Sequence, residues 1–210
     1  IRNAGGFQLG DVPFREDFAH SCNTAFVDLS TRLGATDLHE AGLAFGLGVE
    51  HDPGLGAYVG SVPENDSPAD TAAASIGQAR NQASPLGMAM VAATVASGRW
   101  RAPVVVAEPA PEVPAEVPLG PGEAETLRDL MRGVVVDGSA TTTLAGVPGG
   151  EVFAKTGTAE FGTEDPPETN AWIIGFQGDL AFCVFVEGGE SGGGTAGPIA
   201  ARFLTTLAGG

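Results

Sequence analysis

Helix caps and stops, with one apolar stripe at helical spacing, mark the first two thirds of the chain between loop-like stretches, and apolar positions crowd into strand-like runs in the last third. Residues 14–33 predict two helices separated by a break at Ser21-Cys22-Asn23, with Gly34 as the C′ residue that closes the second. Asp37 with Glu40 three residues later predicts a capping box opening another short helix. From Gly46 to Pro68 the chain is rich in Gly, Pro, Asp and Asn and reads as loop. Ser84-Pro85 supplies an N-cap followed by proline at the first helical position, so a helix is expected from there to Ser97, stopped by Gly98. Prolines scattered from Arg101 to Gly122 predict extended chain, with an edge strand at Val104-Val105-Val106. Leu127, Leu130, Met131 and Val134 then fall at i, i+3, i+4 and i+7, one apolar stripe of a helix from Glu123 to Val135.

The last third predicts strands at Val152–Thr158, Ala171–Phe176 and Leu180–Val186, the second and third joined by a hairpin turn at Gln177-Gly178-Asp179. A flexible glycine-rich turn from Gly188 to Gly194 leads to a final helix over residues 196–207. Helices first, then an antiparallel sheet with a closing helix, make an α+β arrangement. Within it, residues 1–150 form a mainly helical part and residues 151–210 a sheet part.

Composition narrows the partners. The 210 residues are 43% hydrophobic, enough for one domain of ordinary size or a large piece of one. A formal charge of −16 excludes nucleic acid and anionic lipid, which would be repelled. Cys22 and Cys183 lie far apart and outside any Cys-x-x-Cys pattern, so two buried free thiols are expected ahead of the alternative, a disulfide in an exported protein. No apolar run reaches the roughly 18 residues needed to span a bilayer. His20, His39 and His51 lie outside any Gly-x-Ser-x-Gly elbow, and Glu50-His51-Asp52 lacks a second ligand at metal spacing. Neither a metal nor another cofactor is expected.

Against that background one residue stands out. Lys155 is the only lysine, and it lies in Lys155-Thr156-Gly157-Thr158 at the end of an expected strand. Residues two apart on a strand share a face, so Lys155 and Gly157 are expected to point together into a cleft. There Gly157 would let a ligand approach the backbone closely. An ammonium beside threonine hydroxyls suits a ligand carboxylate. Ser21-Cys22-Asn23, between two helices, offers a hydroxyl and a carboxamide; alone, such residues are more often caps than catalysts.

In this order, Ser-x-Asn followed more than a hundred residues later by Lys-Thr-Gly-Thr resembles the transpeptidase domain of penicillin-binding proteins. Further stretches resemble the class B branch: Ser75-Ile76-Gly77-Gln78, Ser84-Pro85-Leu86-Gly87-Met88-Ala89, Gly138-Ser139-Ala140, Lys155 to Glu160, and Ala171-Trp172-Ile173-Ile174-Gly175-Phe176. The resemblance implies a peptidoglycan D,D-transpeptidase that cross-links stem peptides ending in D-Ala-D-Ala by serine acyl transfer and is inhibited by β-lactams. Ser21, Asn23 and Lys155 would be catalytic, with Thr156, Gly157 and Thr158 on the substrate. The Thr158 N–H would be an oxyanion donor. It also implies an extracytoplasmic enzyme, anchored by an N-terminal segment, that works with other cell-wall synthesis proteins. The family's nucleophile stands in Ser-x-x-Lys, which does not occur here because Val152 precedes Lys155 by three. The expectation is therefore a partial domain whose nucleophile lies upstream of Ile1. Other readings on the same fold are a β-lactamase, a carboxypeptidase, a β-lactam sensor or a non-catalytic scaffold.

Overall fold

The computed structural model describes residues 1–108, 111–164 and 166–210. Pro109 and Ala110 of the proline-rich stretch, and Asp165, lie outside the described residues. The helices are α1 (Phe14–His20), α2 (Asn23–Ser30), α3 (Asp37–Ala44), α4 (Pro68–Ala74), α5 (Pro85–Ser97), α6 (Glu123–Val136), α7 (Thr141–Leu144) and α8 (Gly197–Ala208). Two-residue ladders pair β1 (Gly60–Ser61) with β2 (Gln82–Ala83) and β3 (Arg99–Trp100) with β4 (Val117–Pro118). The main sheet is an antiparallel meander of β5 (Val152–Phe161), β6 (Glu168–Gln177) and β7 (Leu180–Val186). The fold is thus α+β, in accord with the periodicity.

Strand alternation divides the core into two layers. Val152, Ala154, Ala171, Ile173 and Phe182 lie on one face and pack against Ala200 and Leu204 of α8, Val134 and Val135 of α6 and Leu144 of α7. Phe153 and Phe176 stack across β5 and β6 on the other face, with ring centroids 4.6 Å apart, and meet Val95 of α5 and Met131 of α6. Burying an aliphatic side chain such as Leu204 contributes about 1.5–3 kcal/mol. The α6 stripe serves both layers, because the helix runs beside β5, where the Arg132 guanidinium donates to the Val152 carbonyl at 3.0 Å.

Local chemistry explains the boundaries. Ser84 Oγ accepts from the Gly87 N–H at 3.0 Å, Pro85 occupies the first turn, and Gly98 closes α5 with φ +76°. The Gly178-Asp179 turn joins β6 to β7, with Gln177 opposite Leu180.

Four expectations need correction. Val104–Val106 form no strand: the Val105 and Val106 N–H groups both bond the Pro53 carbonyl, and the ladder forms on either side of the stretch, as β3 and β4. Asp37 is not an N-cap. It is the first residue of α3, and its carboxylate accepts from the Gly34 N–H at 2.9 Å, so Gly34 belongs to that connection and α2 ends at Ser30. The strands β5 and β6 outrun their apolar cores, taking in Glu160 and Glu168 as a long hairpin. Of the two thiols, Cys22 is buried but Cys183 only half-buried, and both are free.

Candidate active site

The break at Ser21-Cys22-Asn23 is a Schellman-type stop. Ser21 is the C′ residue of α1, in the left-handed region with φ 59° and ψ 49°. Its N–H bonds the Phe18 carbonyl at 3.2 Å, and the Cys22 N–H bonds the Asp17 carbonyl at 2.8 Å. Glycine is the residue that this geometry prefers, and a serine there costs about 1–2 kcal/mol. What the serine adds is a hydroxyl, and that hydroxyl accepts from Lys155 Nζ at 2.7 Å. Strain of this kind persists where a side chain is needed at that point.

Lys155 arrives from the other side by strand alternation. It shares a face of β5 with Phe153 and Gly157, the face turned toward α1 and α5. Its ammonium donates to Ser21 Oγ and to the Thr156 carbonyl at 3.0 Å, and stands 5.5 Å from the centroid of the Phe18 ring. Among the described residues no carboxylate lies within 4.0 Å of it. Burial without a counter-charge lowers its pKa from the ordinary 10.5 to about 8. The site therefore holds this proton less tightly than a free lysine does.

Asn23 begins α2 but does not cap it; its carboxamide donates to the Arg2 carbonyl at 3.1 Å, and among the described residues no hydrogen bond joins it to Lys155. The cap comes from elsewhere in the chain. Buried Asn3 accepts from the Thr24 N–H at 3.1 Å and donates to Cys22 Sγ at 3.4 Å and to the Phe7 carbonyl at 2.9 Å. A groove of about 640 Å³ opens beside this turn, against Asn3, Cys22 and Thr24.

Thr156 lies on the opposite face of β5 from Lys155 and is buried, its hydroxyl 2.6 Å from Ser139 Oγ. Ser139 also donates its N–H to the Ala19 carbonyl at 3.0 Å, so the turn between α6 and α7 ties α1 to β5, the two elements that bring Ser21 to Lys155. Thr158 is half-buried and accepts a long 3.4 Å bond from the Gly192 N–H. The expected flexible turn at Gly188–Gly194 is instead packed. Residues Gly192–Ala196 form a π-helical turn held by Ser191 Oγ. A Cβ on Gly192 would collide with the Trp172 carbonyl and stand 2.6 and 2.8 Å from the Gly157 O and N atoms. Glycine here allows two backbones to touch beside Lys155.

The structure thus brings Ser21 and Lys155 into contact, places Gly157 and Thr158 along the same strand, and leaves Thr156 and Asn23 with other partners. Phe18, Asn3, Ser139 and Gly192 were not singled out for the site. Only Gly138-Ser139-Ala140 carried a signal, and that without a role. His39 and His51 bond the Val62 and Pro103 carbonyls at 2.7 and 2.6 Å, as structural rings do.

The chain is similar to known proteins over nearly its whole length. The family model described as the penicillin binding protein transpeptidase domain matches residues 5–205. The chain is 34% identical to the peptidoglycan D,D-transpeptidase PbpA of Mycobacterium tuberculosis over 229 aligned positions, covering 95% of this chain and 45% of that protein. It is 35% identical to PbpA of Mycolicibacterium smegmatis, covering 96% of this chain and again 45% of the relative. The chain therefore spans about half the length of the curated relatives it matches. Among solved structures, penicillin-binding protein A of M. tuberculosis as a ceftriaxone acyl-enzyme superposes with a TM-score of 0.83 at 33% identity, covering 99% of this chain and 51% of that one. The D,D-transpeptidase domain of a peptidoglycan glycosyltransferase from Eggerthella lenta gives 0.80 at 26%, covering all of this chain and 57% of that one.

Proposed function

Because the chain belongs to the penicillin-binding-protein transpeptidase domain family, we propose that its residues form the proton-relay and carboxylate-binding side of a peptidoglycan D,D-transpeptidase. The observation that carries this reading is the 2.7 Å contact between Lys155 Nζ and Ser21 Oγ, made across 134 residues of sequence. A serine attacks the carbonyl of the penultimate D-Ala, the peptide bond breaks, and the terminal D-Ala leaves as an amine. Ser21 Oγ gives that amine its proton and is reprotonated by Lys155, and the proton lost by the attacking serine's hydroxyl restores the one that Lys155 gives up. A neighbouring stem's amine then attacks the acyl-serine ester, forming the cross-link and returning the serine. A β-lactam follows the first half only: its ring C–N bond opens, but the nitrogen stays tethered and blocks the acceptor.

The remaining roles follow the same reading. Thr158, next to Gly157 on β5 but on the face of Thr156, takes the donor's terminal carboxylate by giving up its long bond from the Gly192 N–H, and its own N–H donates to the oxyanion. Asn23 binds the donor amide by exchanging its bond to Arg2. Thr156, whose hydroxyl Ser139 already holds, acts on the carboxylate only by giving up that bond. The acylated serine is assigned to residues outside these 210, among which Ser-x-x-Lys does not occur. The protein would act outside the cytoplasmic membrane, where its substrate lies, in company with other cell-wall synthesis proteins.

Fluorescent penicillin tests this reading. The full gene product is expected to form a covalent adduct that persists for long times and to release D-Ala from a D-Ala-D-Ala peptide only slowly without an amine acceptor. The 210-residue chain alone is expected to stay unlabelled. Rapid turnover of the adduct would make the protein a β-lactamase, and no adduct on the full product would leave the scaffold reading.

A further inference from the structure

Lys155 is held as a half-buried ammonium with no carboxylate within 4.0 Å among the described residues, and an aromatic ring lies near it instead. The ring is Phe18, one helical turn before Ser21 on α1, 5.5 Å from Nζ at its centroid. We propose that Phe18 is a positioning residue of the acyl-transfer site, its ring face holding the Lys155 ammonium charged and directed at Ser21 Oγ. The proposal rests on the transpeptidase reading for its catalytic consequence, but the contact itself does not.

Three features make the ring the controlling partner. First, the groups around Lys155 do not neutralise it. The carboxylates of Glu16 and Asp17 on α1, Asp129 on α6, and Glu168 on β6 all lie beyond 4.0 Å of its nitrogen, and His20 on α1 makes no hydrogen bond to it among the described residues. The cation nearest in sequence on α6, Arg132, is taken up by the Val152 carbonyl and Glu151. Across the sheet Lys155 faces Ile174 and, one strand further, Cys183, whose thiol burial raises to about 12, so neither supplies charge. Second, the ring is locked. Phe18 contacts Phe26 at 6.1 Å and Phe14 at 6.3 Å between centroids and packs against both core layers. Third, a desolvated cation over a ring face gains more than an exposed one, because water no longer competes. A carboxylate in the same place would hold the proton tightly and clamp the amine. A ring attracts the ammonium while accepting no proton, so Lys155 stays charged but able to pass its proton to Ser21.

The absence of any other lysine makes the test direct. With 15N- and 13Cε-labelled lysine, the 210-residue chain gives a single side-chain ammonium signal, whose titration reports Lys155 alone. Three forms are compared with the wild type: Phe18→Leu, Phe18→Trp, and position 18 carrying pentafluorophenylalanine, which keeps the ring's packing but reverses its quadrupole. The proposal expects the lysine pKa to fall by roughly half a unit to one and a half units in the fluorinated and Phe18→Leu proteins, and to be held or raised in Phe18→Trp. In the full gene product, the alkaline limb of the penicillin acylation rate should move by the same amount. An unchanged titration in the fluorinated protein overturns the proposal even if Phe18→Leu fails to fold. A shifted titration with no acylation at any pH keeps the contact but overturns its role in acyl transfer, and with it the transpeptidase reading.

Discussion

Ser21 occupies a backbone position that favours glycine, and that sets stability against activity at one residue. Two substitutions separate the effects. Ser21→Ala removes the hydroxyl and keeps a Cβ in the left-handed region; Ser21→Gly removes both. Losing a hydrogen bond to a charged, partly buried partner costs about 1.5–3 kcal/mol in either variant. Relief of the left-handed strain at φ 59° returns about 1–2 kcal/mol to the glycine variant, less about 0.5–1 kcal/mol of extra chain entropy. The glycine variant should therefore be more stable than the alanine variant by about 0.5–1 kcal/mol, which for a chain of this length is a melting difference of about 2 °C. Urea denaturation followed by circular dichroism measures this without any assumption about substrate. In the full gene product both variants should lose penicillin acylation alike, by about a hundredfold or more. If glycine proves no more stable than alanine, the strain argument fails. If the glycine variant acylates at the wild-type rate, the hydroxyl has no role.

Further outcomes follow from the same geometry. Burial takes the Lys155 pKa from 10.5 to about 8, so the folded state holds that proton less tightly than the unfolded chain. The penalty is present below about pH 8 and is relieved as pH rises toward 10.5, so wild-type stability should climb relative to Lys155→Met by at most about 3 kcal/mol over that window. The Cys183 thiol, raised from 9.0 to about 12, acts with the opposite sign above pH 9, but it is common to both proteins and cancels in their difference. Parallel denaturation curves across the window would show that Lys155 titrates normally. Gly192→Ala forces a Cβ against the Trp172 carbonyl and the Gly157 backbone, and should cost about 1–3 kcal/mol by chemical denaturation and slow penicillin acylation. Leu204→Ala, in the fully buried layer between α8 and the sheet, should cost about 2–5 kcal/mol while leaving the acylation rate of the folded protein unchanged.

The main elements were legible because their signals are local. Ser84-Pro85 and Gly98 bound α5, the α6 stripe has its period, and the Val, Ile and Phe runs mark β5 to β7. The two motifs were legible as well, because a sole lysine before Thr-Gly and a Ser-x-Asn between helices are visible without coordinates. What could not be read is whatever depends on meetings between distant segments. Asn3 caps α2 from twenty-one residues away, a link that no pattern around Thr24 announces. Ser139 joins α1 to β5 through one backbone and one hydroxyl bond, and Phe18 looks like any helix-face aromatic until its ring is seen beside Lys155. The glycine-rich turn was misread for a related reason. Glycine permits both freedom and close approach, and only the neighbouring backbone of Gly157 and Trp172 shows which applies.

The account turns on whether the Lys155–Ser21 pair drives acylation. Stopped-flow measurement of penicillin acylation in the full gene product, wild type against Lys155→Met, is the most direct test. A fall of about a hundredfold or more, with the folded spectrum retained, is the predicted result. An acylation rate within threefold of wild type would contradict it.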